Sequence, residues 1–95
     1  MTKRAILSEA ELADHVKKLP GWTVKAGKLH REYKLKDFVE AFGFMASCAL
    51  VAEKMDHHPA WSNVYNTVVV DLDTHDAGGI TMMDVELALA MERLA

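Results

Sequence analysis

The 95-residue sequence predicts a single α+β domain over residues 1–95, a two-layer arrangement of a four-stranded antiparallel sheet with three helices on one face, in the order α-β-β-α-β-β-α. Three observations carry this. Side-chain oxygens followed three residues later by a carboxylate mark helix starts at Ser8, Asp37 and Thr81. Between the first two starts, residues 22–35 alternate in polarity as a half-buried hairpin does. Between the second and third, residues 61–74 are rich in β-branched and aromatic types that suit strands.

Ser8 pairs with Glu11, Leu7 and Leu12 are placed as a hydrophobic staple, and the first helix should stop near Leu19, before Pro20 and Gly21. The segments WTVKA and LHREYKL then fold back around a turn at Gly27-Lys28. Trp22, Val24, Leu29, Tyr33 and Leu35 lie on the apolar side, and Thr23, Lys25, His30, Glu32 and Lys34 face solvent. Asp37 with Glu40 opens a longer helix, in which Phe38, Phe42, Met45, Ala49 and Ala52 recur at spacings of three and four and predict one buried stripe, with Gly43 a weak point. Pro59 disfavours helical geometry at His58, so this helix should end around Asp56 or His57. In WSNVYNTVVVDLDT, Tyr65-Asn66 can turn the chain, leaving a longer strand from Thr67 to Leu72 or Thr74. Thr81 with Asp84 caps the last helix, Ile80 and Val85 form a second staple, and Leu87, Met91 and Leu94 continue its apolar face.

Composition narrows the function classes. One cysteine, Cys48, cannot form an internal disulfide and sits among small and apolar neighbours, which predicts an inert buried thiol. No apolar run approaches the roughly 20 residues of a membrane span, and MTKRAILSEA has no signal-peptide core, so a cytoplasmic location is expected. A net charge of -3 with interspersed signs offers no basic stripe for a phosphate backbone, which argues against direct nucleic-acid binding. No GxGxxG, P-loop or nucleophile-elbow motif occurs, so nucleotide-dependent chemistry is unsupported. An open four-stranded sheet leaves edges, and pairing them between subunits would hide them, so a homo-oligomer is expected.

The chemistry is concentrated in EKMDHHPAW, Glu53 to Trp61, and DTHDAGG, Asp73 to Gly79. His57 and His58 stand at a helix exit. Glu53 and His57 are four apart, so a persisting last turn would let the carboxylate orient that imidazole. His75 stands where a β-branched run meets a Gly-Gly turn, a place where a sheet fixes the backbone and a loop leaves the side chain accessible. An imidazole's ordinary pKa near ~6.5 suits proton transfer at neutral pH. Taken alone, the three histidines are compatible with a solvated loop, a proton-transfer site or a metal site. Adjacent histidines rarely converge on one ion, so the spacing argues against zinc. His15 and His30 lie on polar faces and read as surface residues.

EKMDHHPAW, followed by NVYNTVVVDLDTHDAGGIT, Asp84 and Leu87-Ala88, resembles the pterin-4a-carbinolamine dehydratase family, and Gly21-Trp22 and the LHREY strand extend the resemblance over essentially the whole chain. The resemblance implies a two-layer α+β fold, dimers or tetramers, and loss of water from 4a-hydroxytetrahydrobiopterin to give quinonoid dihydropterin. That reaction recycles the cofactor of an aromatic amino acid hydroxylase. No metal or organic cofactor is implied, because the pterin is the substrate. His57 and His75 would act on the departing hydroxyl and the N5 proton, with His58 assisting or binding. Glu53 and Asp56 would tune these imidazoles, Thr74 and Asp76 would hold the polar edge of the pterin, and Trp61 would wall the pocket. The rival reading is a non-catalytic one, since some members serve as dimerisation cofactors of a homeodomain transcription factor. A zinc-dependent hydrolase is a further rival.

Overall fold

Ser8, Asp37 and Thr81 each cap a helix. In the computed structural model, which describes residues 5–95, the Ser8 hydroxyl accepts from the Glu11 N–H at 3.1 Å and the Glu11 carboxylate accepts from the Ser8 N–H at 2.9 Å. Residues 1–4, part of the stretch read above for a leader, lie outside that range. The helices are α1 (Glu9–Lys17), α2 (Phe38–Met55) and α3 (Met82–Leu94), and the strands are β1 (Thr23–Lys25), β2 (Lys28–Lys34), β3 (Ala60–Val64) and β4 (Thr67–Leu72). The chain order is α-β-β-α-β-β-α, and the α+β fold is as the sequence predicts. Among the described residues, no helix is long and apolar enough to cross a membrane.

All neighbouring strands are antiparallel, in the spatial order β1-β2-β4-β3. Two tight turns fix the register. The first consists of Ala26 and Gly27, both left-handed at φ 53° and 76°, the geometry of a two-residue hairpin turn matched to strand twist. The turn thus lies one residue earlier than Gly27-Lys28, and Lys28 begins β2 as the partner of Lys25. The second turn is Tyr65-Asn66, with Tyr65 at φ 52°.

Leu29, Tyr33, Val68, Val70 and Leu72 point from the sheet into one core shared with Trp22, Ala41, Phe44, Cys48, Leu87, Ala88 and Met91. Leu7, Leu12 and Val16 pack against the same core from the N-terminal segment. Val24 is half exposed on the short edge strand β1. At the far end of α3, the Glu92 carboxylate accepts from Trp22 Nε1 at 3.2 Å and from the Tyr33 hydroxyl, while the Arg31 guanidinium covers the Tyr33 ring at 4.4 Å. Burial first, and then the bond to Glu92, push the Tyr33 hydroxyl pKa up.

The stripe expected on α2 is displaced. Ala41, Phe44, Cys48 and Ala52 are buried, whereas Phe38, Phe42 and Ala49 are exposed, Phe42 at 57 %. Both sets recur at three and four, so periodicity could not choose between two apolar faces of one helix. Met45 lies at their boundary, partly buried against the core. Leu94 likewise stays exposed where α3 ends.

Burial pushes the Cys48 thiol up to about 12, so at neutral pH it has neither the thiolate nor the access that alkylation requires. Iodoacetamide should leave Cys48 unmodified in the native protein at pH 8 and label it fully in denaturant, as read by mass spectrometry. Rapid native labelling would contradict its place in the core.

Candidate active site

The direction of His57 is set by how α2 ends. Asp56 adopts the left-handed conformation at φ 53° and ψ 43°, which a short polar side chain tolerates. The Asp56 N–H then bonds to the Glu53 carbonyl at 3.1 Å and the His57 N–H to the Ala52 carbonyl at 3.0 Å, closing a Schellman motif. His57 therefore lies off the helix. The expected helical pairing of Glu53 with His57 does not form; Glu53 Oε1 instead meets His58 Nε2 at 2.8 Å, with both side chains well exposed.

The His57 side chain turns inward, to 8 % exposure, and its Nε2 lies 2.5 Å from Asp84 Oδ1. Asp84 is fully buried. Its other oxygen, Oδ2, accepts from the Thr74 hydroxyl at 2.8 Å and from the Thr81 N–H at 2.9 Å. Because the Thr74 hydrogen is committed to Asp84, the 2.7 Å contact between Thr74 and Thr81 hydroxyls has Thr81 donating. A carboxylate receiving these donors is an acceptor toward the imidazole as well. Nε2 thus carries a proton, and in the neutral ring Nδ1 is the free base.

The 73–79 loop is fixed from both ends. Thr74 and Gly79 form an isolated bridge, with the Thr74 N–H on the Gly79 carbonyl at 2.8 Å, and Gly78 at φ 79° completes the turn. His75 and Asp76 occupy the exposed tip.

A cleft of about 330 Å³ opens between the α2 exit and this loop, lined by Asp56, His57, His58, Asp73, Thr74, His75 and Asp76. It brings together the three histidines that the sequence singles out, along with Asp56, Thr74 and Asp76. Glu53 stands behind His58 and does not line it. Trp61 does not line it either, because strand alternation places Trp61 beside Val70 on the core side of the sheet. The Thr74 hydroxyl is buried and donates to Asp84, which ties this residue to the network that holds His57.

Two acidic residues were missed in the sequence. Asp73 precedes Thr74 at the end of β4 and lines the cleft. Asp84 fills the capping-box role that its spacing from Thr81 predicts; nothing local to residues 81–84 reveals that its second oxygen reaches His57. Chemically, the arrangement offers an oriented buried imidazole opposite two accessible ones, in a cleft edged by carboxylates.

The family model for pterin 4 alpha carbinolamine dehydratase matches residues 5–94. A protein of Solibacter usitatus provisionally named pterin-4-alpha-carbinolamine dehydratase is 56% identical over 89 residues, covering 94% of each chain. A Bradyrhizobium protein with the same provisional name is 55% identical over 91 residues, covering 94% of this chain and 92% of its own. Among solved structures, a transcriptional coactivator/pterin dehydratase from Brucella melitensis superposes with a TM-score of 0.92 at 46% identity, covering 95% of this chain and 98% of that one. With a match of this extent and the histidine cleft in place, the chain belongs to the pterin-4a-carbinolamine dehydratase family.

Proposed function

We propose that the protein dehydrates a 4a-hydroxytetrahydropterin to the quinonoid dihydropterin by acid-base catalysis from histidine. The observation that carries this reading is the single cleft lined by His57, His58 and His75, with His57 tied to buried Asp84. In the reaction the C4a–O and N5–H bonds break, a C4a=N5 double bond forms, and water departs. His75, accessible at the loop tip, gives a proton to the leaving hydroxyl. His57 Nδ1 takes the N5 proton, its charge stabilised by Asp84 as it develops. His58, steadied by Glu53, binds the ring, and Asp56, Asp73 and Asp76 accept from the N–H groups of its aminopyrimidine edge. No cofactor enters this scheme, and its place in metabolism is pterin recycling after an aromatic amino acid hydroxylase.

The exposed apolar residues of α2 support a self-associated protein, as a dimer or tetramer. Phe38, Val39, Phe42 and Leu50 leave a large hydrophobic face without cover on one chain, and β3 is an open sheet edge. The same face favours the second reading, a dimerisation cofactor of a transcription factor, and the Brucella melitensis relative is described as a coactivator as well as a dehydratase.

Replacing His57 or His75 by Ala should slow turnover by about 10²- to 10⁴-fold with the fold retained, followed by stopped-flow absorbance of carbinolamine decay and by circular dichroism. Unchanged turnover in both variants would remove these two histidines from the chemistry, and a wild type that does not accelerate the decay would leave the coactivator reading.

Asp84→Asn puts an amide where only an acceptor fits, and favours the imidazole tautomer whose Nδ1 is protonated. Its kcat should drop about as far as that of His57→Ala, and its pH–rate profile should lose the limb that reports the base; a normal profile would show that Asp84 has only a structural role.

Phe42→Lys should lower the mass seen in sedimentation to that of a smaller assembly, and a monomeric wild type would refute self-association through α2.

A further inference from the structure

Two residues back along β4 from the cleft, the open face of the sheet holds a second hollow, about 250 Å³, lined by Lys25, Ala26, Lys28, His30 and Asp71. The strand register relates it to the first. Leu29 pairs with Leu72 and His30 with Asp71, so one step further sets Lys28 opposite Asp73, which lines the cleft. On the other side of β4, Ala60, the first residue of β3, pairs with Asp71, and His58 stands two residues before it on the approach to that strand. Lys25 pairs with Lys28. His58, Asp73, Lys28 and Lys25 therefore gather at the cleft end of the sheet. By alternation Lys28 and its partner Lys25 lie on the same face as His30 and Asp71. Neighbouring strands are about 4.8 Å apart, so β2 and β3, which flank β4, are separated by about 10 Å, the span of a bicyclic pterin with a short side chain.

The two hollows differ in charge. Asp56, Asp73 and Asp76 line the first. The second presents two ammonium groups and an imidazole, and its one carboxylate, Asp71, is already bonded to His30 Nδ1 at 2.8 Å. Among the described residues, neither Lys25 nor Lys28 makes an ion pair. An anionic substituent inside the first hollow would face three carboxylates, whereas the neutral aminopyrimidine, rich in N–H donors, suits them. A substituent directed across the sheet end toward β2 and β1 would reach the lysines.

We propose that Lys25, Lys28 and His30 form a subsite for an anionic group on the pterin side chain, so that the substrate class is a reduced pterin bearing a phosphate ester or a carboxylate at C6. This rests on the dehydratase reading of the cleft. The lysines are binding residues only, remote from the C4a and N5 chemistry. Their contribution is electrostatic and falls with salt.

The test compares 4a-hydroxytetrahydropterins carrying hydroxymethyl, phosphooxymethyl or carboxyl groups at C6, with wild type and the Lys25→Ala/Lys28→Ala variant. At low ionic strength the wild type should favour at least one anionic substrate by about tenfold in kcat/KM. The double variant should lose that preference and keep the wild-type kcat/KM for the hydroxymethyl substrate. Which anion gains more identifies the group. Equal kcat/KM for charged and neutral substrates in wild type, or a preference that survives in the variant, overturns the subsite. Failure of wild type to accelerate the neutral substrate would instead overturn the dehydratase reading. Fluorescence titration with oxidised 6-hydroxymethylpterin and its phosphate ester still decides the subsite in that case: tighter binding of the phosphate, lost in the variant, supports it, and equal binding removes it.

Discussion

The site depends on one buried carboxylate. Asp84 is fully removed from solvent, and an unpaired charge there would be strongly destabilising. Its two oxygens are instead met by the His57 ring, the Thr74 hydroxyl and the Thr81 N–H. These partners come from the α2 exit, the end of β4 and the start of α3. A buried charge best satisfied when all three are in place couples the relative position of three segments to folding. The geometry that suits base catalysis is therefore part of what lets this small core close around a charge.

The sheet supplies the rest of the framework. Both hairpins turn in two residues, Ala26-Gly27 and Tyr65-Asn66, and so allow little slippage of register. In the order β1-β2-β4-β3, the end of β4 lies between the start of β3 and the start of β2. Residues 56–58, 73–76 and 25–28 gather at that end although they are far apart in sequence. A slip by one residue would send Asp71 and Asp73 to the core face and Val70 and Leu72 to solvent, at a cost the protein could not sustain.

Capping oxygens, the alternation of residues 22–35 and the β-branched run at 67–72 report local preferences, and these elements were legible because local preference and tertiary structure agree there. The α2 face was not, because Phe38 and Phe42 match the core period as well as Ala41 and Phe44 do; the choice between them is made by the sheet the helix packs on. The exchange of partners around Glu53 has a similar origin. One left-handed residue, Asp56, takes His57 off the helix and gives His58 to Glu53, and no pattern in the sequence marks that conformation at an aspartate. Asp84 was hidden in a different way, since a complete capping box already accounts for it locally. Histidines at a helix exit and a strand end were easier to find than the carboxylate that meets one of them.

The exposed apolar face of α2 lies apart from the cleft, so the proposed association and the proposed catalysis can be tested separately. The orientation of His57 by Asp84 toward a bound heterocycle is the central claim, and a crystal structure with a reduced pterin tests it most directly. The predicted result is a ring seated between residues 56–58 and 73–76, with N5 about 2.6–3.2 Å from His57 Nδ1 and His75 on the C4a side. A pterin bound elsewhere on the domain, or one in the cleft with N5 turned away from His57 and Asp84 still holding that imidazole, would contradict it.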